Sequence, residues 1–213
     1  MSDSPQIARR RARLERGPNA SRDPEARFYV LEGLSAVGKS TVAPILADTL
    51  RATLIPTLIP AFEKTRVSLD KKRLVMPRLH FWMMTNYSAS EKVRDALNAG
   101  QDVVVESYFY RTLATHAALG VTQPPAVDWA HALVPHMTIL LTVDEAVRQK
   151  RLTQREQEQG LSYWSRLEES NVEITRQTYE SFGLTPFNTN GLDAVEVATE
   201  IARFLKQTET ARG

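Results

Sequence analysis

The stretch Gly33-Leu34-Ser35-Ala36-Val37-Gly38-Lys39-Ser40 matches the spacing G-x-x-x-x-G-K-[ST] at every required position. Those residue types suit the binding of a dense anion such as a triphosphate. The first glycine allows a tight turn, the second lets the backbone come close, and successive N–H groups point inward. A helix opening directly afterwards adds its positive N-terminal end. Lys39 is then placed to reach the β- and γ-phosphates, and the Ser40 hydroxyl to ligate Mg²⁺. Ser35, Ala36, Val37 and Thr41 complete the cradle, so the motif predicts a site for ATP with Mg²⁺.

Two other groups of residues could work on a phosphate held there. Glu106 ends the apolar run Val103-Val104-Val105. A carboxylate at the C-terminal end of a buried strand can hold the hydration shell of Mg²⁺ or accept a proton from an attacking hydroxyl. Arg148, Arg151 and Arg155 are spaced i, i+3, i+7 and share one helix face. Such a face can clamp the charge that develops during phosphoryl transfer, or it can simply be solvated. The four histidines, His80, His116, His131 and His136, form no metal-ligand spacing. Of these, His116 is the one near the expected acceptor pocket, and a structural role is the simpler reading.

The elements that must position these residues alternate along the chain. Phe28-Tyr29-Val30-Leu31 reads as a buried strand and runs directly into the glycine loop. The helix after the loop carries Val42, Ile45, Leu46 and Leu50 on one face, with Pro44 expected to distort it slightly. Thr53-Leu54-Ile55 reads as a second strand and residues 56–72 as a charged connection. A long helix is expected from after Pro77 to about Ala99, stopped by Gly100. Strands follow at Val103–Glu106, Thr138–Leu141 and Leu184–Asn188, and a helix with Ala194, Val197, Ala198, Ile201, Phe204 and Leu205 on one side closes the chain. Alternating strands and helices predict an α/β fold of three layers, a parallel sheet of about five strands with helices on both faces.

A chain of 213 residues suffices for one such domain. The net charge is +2, but residues 1–27 hold seven Arg against four acids. The basicity therefore belongs to an N-terminal extension, read as solvated and flexible, although an Arg run also suits nucleic acid or anionic lipid. The domain is expected over 28–207, with a lid near 148–160 and a short tail at 208–213. No apolar run approaches the ~20 residues of a membrane helix, and no secretory signal is visible. With no cysteine, the expected location is cytoplasmic.

Together these pieces resemble the thymidylate kinase and deoxynucleoside kinase branch of the P-loop kinases. The resemblance covers about residues 28–207. It rests on Phe28–Gly33 with Gly38-Lys39-Ser40-Thr41, on Lys92 to Val103-Val104-Val105-Glu106-Ser107-Tyr108, on Thr138–Val143 with Lys150–Arg155, and on Asn188-Thr189-Asn190-Gly191. It implies the P-loop NTPase fold and transfer of the γ-phosphate of ATP to a nucleoside or nucleoside monophosphate. It also implies catalytic roles for Lys39, Glu106, Arg148, Arg151 and Arg155, metal roles for Ser40 and Glu106, and a place for Asn190 near adenine.

The acceptor side departs from the family. Ser107 replaces the family arginine after the strand-end acid, and Arg111 lies one helical turn onward. The family's Arg-Glu-Pro segment is missing, with Glu63 nearby, and the long helix offers Met84, Thr85 and Asn86 in place of an Asp-Arg pair. Glu63, Trp82, Asn86, Arg111 and His116 are the expected acceptor contacts. Phe81, Trp82, Met83, Met84 and Tyr87 suit either a pocket wall or plain core. A kinase for a non-nucleotide acceptor such as an antibiotic or sugar shares every donor-side feature. A nucleotide switch or silent regulator is the reading from another class; the guanine signature Asn-Lys-x-Asp of such switches is absent. The expected partner is a small molecule, not nucleic acid or membrane, and a homodimer stays open.

Overall fold

The computed structural model describes residues 26–210. Residues 1–25 of the expected extension and 211–213 of the expected tail lie outside the described residues. Arg27, counted with the extension, is already tied to the sheet: its N–H donates to Asp102 Oδ1 and its carbonyl accepts from Val103, both at 2.7 Å.

Five parallel strands form one sheet, β1 (Phe28–Glu32), β2 (Thr53–Pro56), β3 (Val103–Glu106), β4 (Met137–Thr142) and β5 (Thr185–Asn188), in the order β2-β3-β1-β4-β5. Every residue of β1 is buried, as a central strand covered on both faces requires. Its register pairs Leu31 with Glu106 of β3 and Glu32 with Leu140 of β4. The carboxyl ends of the three central strands therefore finish side by side.

Alternation along the strands divides the core. Tyr29, Leu31, Val104, Ile139 and Leu141 pack with Val42, Ala43 and Leu46 of α1 (Lys39–Leu50) and with Val197, Ala198, Ile201 and Leu205 of α8 (Ala194–Thr210). Phe28, Val30, Val103 and Val105 pack on the other side with Leu79, Met83 and Val93 of α3 (Val75–Asn98) and Phe109 of α4 (Phe109–Ala118). The remaining helices among the described residues are α2 (Glu63–Lys72), α5 (Glu145–Gln159), α6 (Tyr163–Ser170) and α7 (Val172–Ser181). The arrangement is the expected three-layer α/β fold.

Several boundaries differ from the sequence reading. Residues 60–72 are not a plain connection but a 3-10 turn, Pro60–Phe62, followed by α2. That helix buries none of its residues and so has no apolar stripe to reveal it. Arg66 holds it instead, paired with Glu63 and, at 2.8 Å, with Asp70. Helix α3 begins two residues before Pro77, which its first turn tolerates. Helix α1 runs on through Pro44, and α8 extends to Thr210, past the expected end. No helix among the described residues is long and apolar enough to cross a membrane.

Candidate active site

The glycine loop leaves β1 through a conformation that only glycine supports. Gly33 has φ of +142°, and a Cβ there would sit 2.6 Å from the carbonyl oxygen of Leu141. Gly38, with φ of +108°, turns the chain into α1. Lys39 opens that helix and folds its ammonium back over the loop, donating to the carbonyls of Gly33 and Leu34, both at 2.8 Å. Burial and the charge of Arg111 push it down to about 8, against the pull of Glu106, Glu32 and Glu168.

Ser40 and Glu106 meet across the β1–β3 edge, the hydroxyl donating to Glu106 Oε1 at 2.5 Å. Thr57, beyond β2, donates to the carbonyls of Glu106 at 3.2 Å and Ser107 at 2.5 Å and steadies the end of β3. Among the described residues no cluster of three or more His, Cys, Asp or Glu could hold a metal by itself. One hydroxyl and one carboxylate beside a phosphate loop is nonetheless the donor set that suits Mg²⁺, which takes few protein oxygens and completes its shell with phosphate and water.

These groups lie in one cleft of about 1190 Å³ at the carboxyl ends of the strands. That lies above the usual range for a single small-ligand pocket. Ser35, Ala36, Val37, Gly38, Lys39, Ser40, Thr41 and Glu106 line the half of the cleft at the glycine loop. Arg151 and Arg155 line it from α5, with Arg151 Nη1 3.4 Å from the Val37 carbonyl. Trp82, Asn86, Arg111 and His116 line the other half, as does Trp164, expected only to pack between helices.

Four expected site residues stand elsewhere. Arg148 shares a helix face with Arg151, but it is 1% exposed and does not reach the cleft. It donates to Glu145 at 2.6 and 2.9 Å and to Glu169 at 3.0 Å, with a further close contact to Glu169. Its remaining contact supports the loop through the Ser35 carbonyl at 3.3 Å. Asn190 faces Asp144 rather than the cleft, accepting from its N–H at 2.9 Å and donating to its carboxylate at 2.6 Å. That pair pins the β5–α8 turn to the start of α5, and its neighbours Thr189, Leu192 and Asp193 line the cleft. Glu63 is exposed and paired with Arg66 at the start of α2. Gly33 works from behind the loop, through its carbonyl.

Of the aromatic and Met cluster on α3, Phe81 and Met83 are buried, Met84 is exposed, and Tyr87 packs on Phe109 at 4.9 Å. Trp82 is its member on the cleft. His116 is buried and neutral. Burial pushes it down to about 4, against the Thr112 carbonyl and reinforced by the charges of Arg78 and Arg111.

Two carboxylates escaped the sequence reading. Glu32, wholly buried at the end of β1, accepts from the N–H of Tyr108 at 2.8 Å, the N–H of Arg111 at 3.3 Å and the Tyr179 hydroxyl at 3.0 Å. Burial pushes it up to about 7 in spite of those bonds and the charge of Lys39. Its one signal was an acid closing a wholly apolar strand. Glu168 on α6 pairs with Arg111 at 2.6 Å, and nothing in its local sequence marks it.

A family model described as thymidylate kinase matches residues 31–184, well over half of the chain. A probable thymidylate kinase of Pyrobaculum aerophilum is 26% identical over 191 residues, covering 84% of this chain and 96% of its own. The solved structure of thymidylate kinase from Candida albicans, reported to have broad substrate specificity, superimposes with a TM-score of 0.64. It covers 87% of this chain and 93% of that one at 17% identity, a level that speaks for the fold alone.

Proposed function

The chain belongs to the thymidylate kinase family of ATP-dependent nucleotide kinases, and on that premise we propose that it transfers the γ-phosphoryl group of ATP to a nucleoside hydroxyl or to a phosphate oxygen of a nucleoside monophosphate. The observation that carries this reading is the convergence of Lys39, Ser40 and Glu106 at one strand edge, with Arg151 and Arg155 facing them across the cleft.

The triphosphate lies in the glycine loop, where backbone N–H groups and the N-terminal end of α1 meet its negative charge. Lys39 leaves the carbonyls of Gly33 and Leu34 for the β- and γ-phosphates. Ser40 and Glu106 would hold a Mg²⁺ ion, which would neutralise charge on the triphosphate. Arg151 and Arg155 close over the γ-phosphate and exclude water, so that transfer outruns hydrolysis. The acceptor oxygen bonds to the γ-phosphorus and the bond from phosphorus to the β–γ bridging oxygen breaks. The electron pair of that bond leaves with ADP, and any proton on the attacking oxygen passes to solvent. A loose transition state asks for positioning and charge more than for a strong base.

The test is ATP consumption with Mg²⁺ across nucleosides, nucleoside monophosphates and unrelated hydroxyl compounds. Acceptor-dependent ADP release is expected, together with a loss of at least ~100-fold in Lys39→Ala and an unchanged circular dichroism spectrum. Near-wild-type turnover in that variant sinks the assignment.

A further inference from the structure

Helix α6 is tied to the site at both of its ends. Its first turn sits on the wall formed by α2 and α3. There Trp164 Nε1 donates to the Asp70 carbonyl at 3.3 Å, and the Arg78 guanidinium lies 4.9 Å from the centre of the indole ring. Its last turn carries two consecutive acids, and each meets an arginine. Glu168 stands 2.6 Å from Arg111 Nη1 and accepts from Nη2 at 2.8 Å. Glu169 accepts from Arg148 Nη1 at 3.0 Å and makes a closer contact with Nη2. Trp164 and Glu168 are the buried residues of this helix, so these ties hold it in place of an apolar stripe.

Both arginines end on one residue of the glycine loop. Arg111 Nη2 donates to the Ser35 hydroxyl at 3.1 Å, and Arg148 Nη1 donates to the Ser35 carbonyl at 3.3 Å. They come from different elements, α4 and α5, and Arg111 lines the cleft where Arg148 does not. Arg148 is 1% and Glu168 6% exposed, so parting either pair strands a charge away from water. The loop needs support at this point. Ala36 has φ of +67°, which is unfavourable for a residue with a Cβ. In a trans peptide the C=O and N–H point opposite ways. Arg148, outside the cleft, holds the Ser35 carbonyl and so points the Ala36 N–H toward the cleft that Ala36 lines. The motif demands no particular residue type at position 35, so the hydroxyl is free for a use other than phosphate binding.

We propose that Ser35 is a positioning residue that couples the two halves of the cleft. Through Arg111 and Arg148 it ties the phosphate loop to Glu168 and Glu169, and α6 carries that tie to the acceptor wall at Trp164. A nucleotide that orders the loop fixes α6 over the acceptor. An acceptor held under α6 firms the loop in turn, so each ligand tightens the binding of the other. The inference rests on the kinase reading above, which supplies the two ligands, and adds the means by which their binding is linked.

The test is a binding cycle. The Kd of a non-hydrolysable ATP analogue with Mg²⁺ is measured by titration calorimetry, alone and at saturating thymidylate, or at whichever nucleoside or monophosphate best supports ADP release. The wild-type protein should bind the analogue at least ~5-fold tighter with the acceptor present, and the acceptor should gain the same factor from the analogue. Ser35→Ala, which keeps the carbonyl and removes the hydroxyl, should cut both factors to under ~2-fold, and Ser35→Thr should restore them. Each factor is a ratio within one variant, so a plain loss of ATP affinity cancels. A wild-type factor near one overturns the proposal and leaves the kinase reading standing. So does a factor unchanged in Ser35→Ala, or one lost equally in Ser35→Thr, which would mark side-chain size and not the hydroxyl. Absence of any acceptor-dependent ADP release overturns the kinase reading, and the proposal with it.

Discussion

Lys39 and Glu32 share one electrostatic neighbourhood, and ligand binding must act on both in the same direction. Lys39 is pushed down to about 8 by burial and the charge of Arg111, and Glu32 is pushed up to about 7 by burial. A triphosphate brings negative charge to the loop, which favours the protonated form of either group. At about pH 8 the empty protein has partly lost these protons, and the complex regains them, so binding takes up protons. Titration calorimetry of a non-hydrolysable ATP analogue, in two buffers of different ionisation enthalpy, should therefore give different apparent enthalpies. The difference should shrink at about pH 6, where both groups are already largely protonated, and most of it should vanish in Lys39→Met. Equal enthalpies at about pH 8 would refute the coupling. The two residues were not equally readable in the sequence. Lys39 follows from a motif whose every position has a physical reason. Glu32 is one acid at the end of an apolar strand, and its partners lie far along the chain at Tyr108, Arg111 and Tyr179.

At the scale of elements, what could be read was whatever local pattern decides. The central strands announced themselves because a strand covered on both faces must be apolar throughout. Helix α2 did not, because ion pairs along its own surface sustain it. Helix α5 lies between these cases. Its three arginines do share a face, but that face meets the cleft at Arg151 and Arg155 and meets Glu169 of α6 at Arg148. No spacing rule says where one contact gives way to the other, since it depends on how α6 approaches. The carboxylates of Glu145 and Glu169 hold Arg148 above its usual range in spite of its burial, and the guanidinium joins α5, α6 and the loop at Ser35. Breaking such a pair leaves a carboxylate without its partner. Arg148→Met should therefore cost about 3 kcal/mol in urea unfolding, with an unchanged slope, and should weaken binding of the ATP analogue. The exposed Arg155→Ala should stay within about 0.5 kcal/mol of wild type. Equal stability of the two variants would remove the strut role from Arg148.

For the whole molecule, the contrast that matters is between a packed floor and an unpacked cover. The floor is the sheet, whose strands β1 and β3 are buried almost end to end between the two halves of the core. The cover is the second half of α5 and the turn into α6, where every residue from 153 to 160 is exposed and the next buried side chain is Trp164. Little apolar surface resists its opening, so its local stability lies far below that of the sheet. Such a segment is suited to admit two ligands and then close over them. Closing also orders Arg155, which no core contact holds. Hydrogen exchange followed by mass spectrometry should show residues 153–162 exchanging fast, as should the unburied α2, and β1 and β3 slowest. An ATP analogue with Mg²⁺ should slow exchange in residues 33–41 and 151–159. Adding an acceptor should extend that protection to residues 162–168, where Trp164 and Glu168 face it across the cleft. Exchange in 153–162 that ignores both ligands would mean that the cover does not close, and Arg155 would then have no means of reaching the transferred group.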